Sequence, residues 1–311
     1  MPASDNYTRV RPAPLRIGRL LTFVGFVLCA AVVAAQDPFE PDWNKPAPPH
    51  RIVGNVYYVG TTELAVFVVT TPRGHILLDT AFDQSVPIIK AGMKTLGLRY
   101  EDIEVVLSSQ AHYDHVAGVA RVKRETGARV EVMAEDAPLL ESGGRGDFRF
   151  GDELTFPPVK VDRRLKDGDR VELGGVTLIA HHTPGHTKGA TTFTTTVEEA
   201  GKKYDVVFAT SLSVNDGTKL LNNPKYPALV SDWEKTYRLM KSLQPDIWVA
   251  GHAGFFDMAR KAARAGSSPN PYIDPAGYRR YVESAEARFR KLLADESDRR
   301  SGAPPRMHDA R

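Results

Sequence analysis

The chain has 311 residues and a mass of 34.3 kDa, room for one large domain or two ordinary ones. With 42% hydrophobic and 25% charged residues it has the composition of a core-forming protein, not of a disordered one. Its one cysteine, Cys29, excludes an internal disulfide framework and a cysteine-rich zinc finger, and leaves at most one thiol for chemistry.

Cys29 lies in the first apolar run. Arg9, Arg11, Arg16 and Arg19 form a basic leader, Leu20 to Ala34 is uncharged and apolar, and Val33-Ala34-Ala35 closes the run with small residues. This is the pattern of a secretory signal peptide over residues 1–35, cleaved near Ala35. The apolar run is shorter than the roughly 20 residues that a membrane helix needs, so no stable membrane anchor is expected and the protein is read as periplasmic or secreted. Four of the 41 basic residues and one of the 38 acidic ones lie in this leader, so the remainder is formally neutral and has no cysteine. A neutral chain carries no electrostatic footprint for nucleic acid or an anionic membrane, and a small-molecule partner becomes the default.

Residues 36–50 read as a proline-rich arm draped over the surface. From Ile52 to Asp79, the runs Val56-Tyr57-Tyr58-Val59, Leu64 to Thr70 and His75 to Leu78 are separated by Gly60-Thr61-Thr62 and Pro72-Arg73-Gly74, the signature of strands and tight turns. A helix is predicted around Val86 to Leu96, and Ile103 to Leu107 is a continuous apolar run, as in a buried strand. Val116, Val119, Ala120 and Val122 fit a helix that Gly127 ends, followed by a strand over Val130 to Met133. Val176 to Ala180, Val206 to Ala209 and Ile247 to Ala250 read as further strands. Ser231 and Glu234 have the spacing of a capping box for a helix carrying Trp233, Tyr237 and Met240, with Pro245 as its stop. A last helix carries Tyr281, Ala285, Phe289 and Leu292 on one face. A polar tail, expected to be disordered, follows over 295–311. Strands and helices mix in both halves without a linker, so residues 51–294 are predicted to be one α/β domain of two related halves.

The chemistry is concentrated at strand ends. Gln110-Ala111-His112-Tyr113-Asp114-His115 follows the strand 103–107 directly and precedes a helix, where α/β proteins build sites. Two imidazoles and a carboxylate within four residues can ligate a borderline metal such as zinc. The strand at 176–180 runs into His181-His182-Thr183-Pro184-Gly185-His186, and the strand at 247–250 into Gly251-His252-Ala253-Gly254. One strand-end histidine is usually only a polar residue, whereas three such motifs reinforce one another. Gln110, His112, Asp114, His115, His186 and His252 would supply two adjacent metals with three ligands each, leaving open positions for water and substrate. Of His181 and His182, which alternate across the sheet, at most one can approach that site. His50, His75 and His308 read as surface residues.

Over residues 52–294 the chain resembles the metallo-β-lactamases, specifically the third subclass of class B. The resemblance rests on the His-x-Asp-His core at 112–115, Phe156-Pro157-Pro158-Val159, Thr183-Pro184-Gly185-His186-Thr187, Ser211-Leu212-Ser213, His252-Ala253-Gly254-Phe255-Phe256 and Asn270-Pro271-Tyr272. It implies a four-layer αβ/βα sandwich, two β-sheets flanked by helices. It also implies His112 and His186 on a first zinc and Asp114, His115 and His252 on a second. Gln110 stands where the family has a histidine. A neutral carboxamide oxygen is a weaker ligand than imidazole, so of up to two Zn2+ ions the first is expected to bind less tightly. Ser211 and Ser213 match serines expected to meet metal-bound water or the substrate carboxylate; a turn bonding its own backbone is the competing reading. Asp79, after Ile76-Leu77-Leu78, is a candidate partner behind a ligand histidine, or a structural cap.

The implied activity is hydrolysis of the strained β-lactam amide of penicillins, cephalosporins and, by resemblance, carbapenems, conferring antibiotic resistance. In it the metal makes hydroxide available near neutral pH, Asp114 orients that hydroxide and His112 serves the catalytic metal. Two rival readings are another hydrolase of this fold, a lactonase or thioesterase, and a zinc-binding protein impaired by the loss of a histidine.

Overall fold

Each strand near the centre of this chain alternates its side chains between two apolar environments, which is why the sequence shows unbroken hydrophobic runs. The computed structural model describes residues 41–301. The segment read as a signal peptide, with Cys29, the start of the arm and His308 lie outside the described residues.

Seven strands form the first sheet in chain order: β1 (His50–Val53), β2 (Val56–Tyr58), β3 (Phe67–Thr71), β4 (Gly74–Leu78), β5 (Ile103–Leu107), β6 (Arg129–Met133) and β7 (Arg163–Leu165). The first four are antiparallel hairpins, and β4 to β7 run parallel. The second sheet has the order β12-β11-β10-β9-β8, from β8 (Arg170–Leu173), β9 (Val176–His182), β10 (Thr191–Glu199), β11 (Lys202–Ala209) and β12 (Ile247–Ala250). Only β11 and β12 are parallel in it.

On the first sheet, Phe67, Val69, Ile76, Leu78, Val105 and Leu107 point into a core shared with Phe193, Phe208 and Val249 of the second. The alternate residues Val68, Leu77 and Val106 join a second core with α1 (Val86–Thr95) and α3 (Val119–Thr126). On the far side of the second sheet, α5 (Leu229–Ser242) contributes Trp233, Tyr237 and Met240, and α7 (Pro275–Ser301) contributes Tyr278, Val282, Ala285 and Phe289. Two sheets flanked by helices result, as expected. The remaining helices are the single turn α2 (Tyr113–Val116), α4 (Ala137–Ser142) and α6 (Met258–Ala262).

Several details differ from the sequence reading. Strands β1, β7, β8 and β10 lack long apolar runs and were not predicted. Helix α5 starts at Leu229, so Ser231 lies inside its first turn and its hydroxyl donates to Ala228 O at 2.8 Å instead of capping. The expected tail from 295 is helical as far as Ser301, held by the ion pairs Lys291–Asp295 and Arg300–Glu296 and by Glu296 accepting from Leu220 N at 2.7 Å. His75 is buried on β4, and His50 is half-buried with its Nε2 against Tyr272 Oη at 2.5 Å. The arm does more than drape: its Pro46 bridges to Thr61 and Ala47 is buried in the core. Among the described residues no helix is long and apolar enough to cross a membrane.

Candidate metal centre

Parallel pairing brings the carboxyl ends of strands to a common edge. Beyond β5 the chain turns through Ser108 to Ala111 into α2, and His115 N donates to His112 O at 2.9 Å, so His112, Asp114 and His115 sit on one tight turn. Beyond β12 comes Gly251, where a Cβ would lie 2.7 Å from the His115 ring; only glycine lets His252 approach. Beyond β9, Gly185 has φ +136° and lies against the Trp233 indole, where a Cβ would come within 2.5 Å. This close packing on α5 sets the turn that presents His186.

Asp114, His115 and His252 offer ligand atoms that all lie within 4.8 Å of one another. Asp114 Oδ2 is 3.2 Å from His115 Nε2 and 3.3 Å from His252 Nε2. Behind each ring stands a second carboxylate: Asp79 Oδ2 is 3.1 Å from His115 Nδ1, and Glu63 Oε1 is 3.3 Å from His252 Nδ1. Asp79 also accepts from Ser109 N at 2.7 Å and Ser109 Oγ at 2.6 Å, so it both caps the turn and orients a ring. Burial works against charge on His115, but Asp114 and Asp79 outweigh it and raise its pKa to about 10. Burial likewise opposes ionisation of Asp114, and His115 and His252 overcome it, holding the carboxyl well below its usual range. Buried cationic demand on one side of a carboxylate is what a divalent ion satisfies. His115 Nε2, buried and facing Asp114 Oδ2, is aimed into the cluster. The donor set of two imidazoles and one carboxylate fits zinc.

His112 and His186 face each other nearby, ring centroids 4.8 Å apart at 64°. His186 Nδ1 donates to Ser213 O at 2.7 Å, which leaves Nε2 bare. Burial, and His112 beside it, lower the His186 pKa to about 3, so the ring is neutral and able to ligate.

Gln110 is placed differently from the reading of it as a ligand. It is buried, and its Oε1 accepts from Ser211 N at 3.0 Å and Thr210 Oγ1 at 3.1 Å. Its Nε2 has no protein partner. Flipping the amide would set its NH2 against the Ser211 N–H, so these bonds fix the orientation. The oxygen is occupied at the end of β11, and an amide nitrogen is not a zinc ligand. Ser211 is buried with its hydroxyl unpartnered, and Ser213 lines the pocket. Neither His181, bonded to Thr194 Oγ1 at 2.8 Å, nor His182, bonded to Lys188 O at 2.8 Å, lines that pocket.

The pocket over these histidines has a volume of about 260 Å³ and is walled by Trp43, Phe150, Leu154 and Phe255, with Glu63 and Asn215 as further polar groups. None of these six was singled out in the sequence as a site residue. Nor was Asp136, which follows β6 and accepts from Ala111 N at 2.9 Å, Thr187 Oγ1 at 2.6 Å and Gly189 N at 2.7 Å. Asp136 thereby ties the loop of His112 to the loop of His186. Its position just past a parallel strand was the one signal available.

The family description of the metallo-β-lactamase superfamily matches residues 60–252. The chain belongs to this superfamily. Among solved metallo-β-lactamases, native FEZ-1 from Legionella gormanii superposes with a TM-score of 0.80 at 41% identity, covering 81% of this chain and 98% of that one. BJP-1, a subclass B3 metallo-β-lactamase of Bradyrhizobium japonicum, gives 0.78 at 38% identity, covering 83% and 97%. The class B3 di-zinc metallo-β-lactamase LRA-12 from an Alaskan soil metagenome gives 0.78 at 35%, covering 81% and 96%. Curated superfamily relatives match more locally. A hydroxyacylglutathione hydrolase of Hyphomonas neptunium is 32% identical over 107 residues, 34% of this chain and 35% of that protein. The chain thus spans about a third of the length of that relative.

Proposed function

We propose that this protein hydrolyses the amide bond of β-lactams with zinc at the Asp114, His115, His252 cluster. The observation that carries this reading is likeness to metallo-β-lactamases at 35% to 41% identity over nearly their whole length, converging on a buried histidine and aspartate cluster. Matches to hydroxyacylglutathione hydrolases cover only a third of those proteins.

Asp114, His115 and His252 would hold one zinc, and His112 with His186 would offer a second, weaker position. Bound zinc supplies two things: it lowers the pKa of a coordinated water from 15.7 toward about 7, and it polarises a carbonyl oxygen. The protein does the rest. Asp114 accepts a hydrogen from the attacking water and orients it toward the lactam carbonyl. Asp79 and Glu63 hold the rings of His115 and His252 with the correct nitrogen forward. Trp43, Phe150 and Phe255 pack the bicyclic ring system and exclude bulk water, and Ser211 and Ser213 hydrogen-bond the substrate carboxylate. Because the oxygen of Gln110 is held by Thr210 and Ser211, the position beside His112 and His186 has two protein ligands, not three. The leader over residues 1–35 fits export to the periplasm or medium, cleavage near Ala35 and release without an anchor.

A chromogenic cephalosporin should be turned over by the purified protein, stopped by chelator and restored by zinc. Hydrolysis of thioesters or lactones with no turnover of β-lactams would overturn the reading. In a competitive zinc titration the protein should bind one ion more tightly than the other, and Gln110→His should strengthen the weaker site. Two equal, tight sites in the unaltered protein would reject the assignment of Gln110.

A further inference from the structure

The segment between α4 and β7 forms a small closed loop beside His112. Asp147 N donates to Gly151 O at 3.1 Å and Gly151 N returns to Asp147 O at 3.0 Å. Within it Asp147 Oδ1 accepts from both Arg149 N and Phe150 N at 2.7 Å. The loop is anchored from outside: Arg149 Nε donates to Asp216 O at 2.6 Å, and Phe148 packs edge-on against Tyr226 at 4.9 Å. A turn needs only one carboxylate oxygen. The other, Asp147 Oδ2, lies 3.6 Å from His112 Nε2, with both side chains buried, while the Phe150 ring meets the His112 ring edge-on at 5.3 Å. That nitrogen is buried and has no hydrogen-bond partner within the described residues. The separation exceeds hydrogen-bond length by only a few tenths of an ångström.

We propose that Asp147 is a positioning residue for His112: its Oδ2 accepts the Nε2 proton, fixing the tautomer in which Nδ1 is bare and faces the metal centre. This rests on the reading of His112 as a zinc ligand in its consequence for metal binding, but not in the tautomer itself. Three of the four clustered rings have their rear nitrogen held, by Asp79, Glu63 and the Ser213 carbonyl. His112 is the fourth, and Asp147 completes the pattern. The need is greatest here because Gln110 contributes no ligand, so the two imidazoles must be presented without a third residue to define the geometry.

Asparagine separates the two roles of Asp147. In Asp147→Asn the amide oxygen can still accept from Arg149 N and Phe150 N, so the turn persists, but an NH2 donor replaces Oδ2. Long-range ¹H–¹⁵N correlation of the histidine rings, on metal-free protein about two pH units above the ordinary histidine value, reads the tautomer directly. The His112 signals are identified by their loss in His112→Gln. The expected result is Nε2–H in the unaltered protein and a switch toward Nδ1–H in Asp147→Asn. In the Gln110→His background, Asp147→Asn should also weaken zinc at the weaker site about 10- to 100-fold, with the Asp114, His115, His252 site unchanged. Phe150→Leu, which removes the ring and keeps the carboxylate, should leave the tautomer as it was. An Nδ1–H tautomer in the unaltered protein, no change in Asp147→Asn, or an equal change in Phe150→Leu would overturn the proposal. The tautomer measurement uses no substrate and no metal, so failure of β-lactam turnover would not be mistaken for failure here.

Discussion

Asp136 carries more of the site than its sequence context announces. The partners of its carboxylate, Ala111 N, Thr187 Oγ1 and Gly189 N, are all donors. Burial pushes its pKa up, while these bonds and nearby His112 partly restrain it. In Asp136→Asn one of the donors must face an NH2. The expected effect is a loss of about 1–3 kcal/mol of stability in metal-free protein and weaker zinc binding, because two ligand loops lose their shared anchor; denaturant midpoints and a zinc titration check both. The residue types of the metal cluster were legible because histidines stood at three separate strand ends. Orientation was not. Which end of the Gln110 amide faces the cluster depends on Ser211 N, a backbone group far along the chain, and no local pattern encodes that.

At the level of elements, legibility followed burial. β5 and β12 were read from sequence because both their faces are covered, making each a short apolar run. β10 is built largely of threonines, with Thr191, Thr192 and Thr195 buried and Thr196 exposed, and escaped notice although threonine favours strands. Helix α6 holds a feature with no sequence signal at all. Its Lys261 is 2% exposed, with Nζ 3.0 Å from Asp274 Oδ2 and 5.2 Å from the Trp248 ring. Burial lowers the lysine pKa, and Asp274 opposes that. Only the lysine end of this pair is buried: the Asp274 side chain is 24% exposed and also accepts from Gly277 N, so losing the cation leaves a solvated carboxylate, whereas losing the carboxylate leaves a buried charge. Lys261→Met should therefore be near neutral or stabilising. Asp274→Asn, which can keep the bond from Gly277 N at 2.8 Å but loses the charge, should cost about 3 kcal/mol. Denaturant unfolding of the two variants decides the order.

For the molecule as a whole, the site is a joint product of both sheets and of the arm. Trp43, preceding β1, sets its ring edge-on to His252 at 5.5 Å and walls the pocket. If the pocket binds β-lactams as proposed, Trp43→Ala should raise KM about tenfold, the equivalent of ~1.4 kcal/mol, with a smaller effect on kcat; steady-state kinetics on the chromogenic substrate test it. The arm could be recognised in sequence as proline-rich, but its route over the histidines depends on pairing between Pro46 and Thr61. The division of the cluster also has a temporal meaning. Asp114 and His115 follow β5, whereas His252 follows β12, the last strand among the described residues and a parallel neighbour of β11. A nascent or truncated chain that stops before residue 247 cannot assemble the three-ligand cluster, however well its first sheet has formed. Closure of the cluster thereby waits on the second sheet, whose β12 delivers His252 after β5 has placed the other two residues.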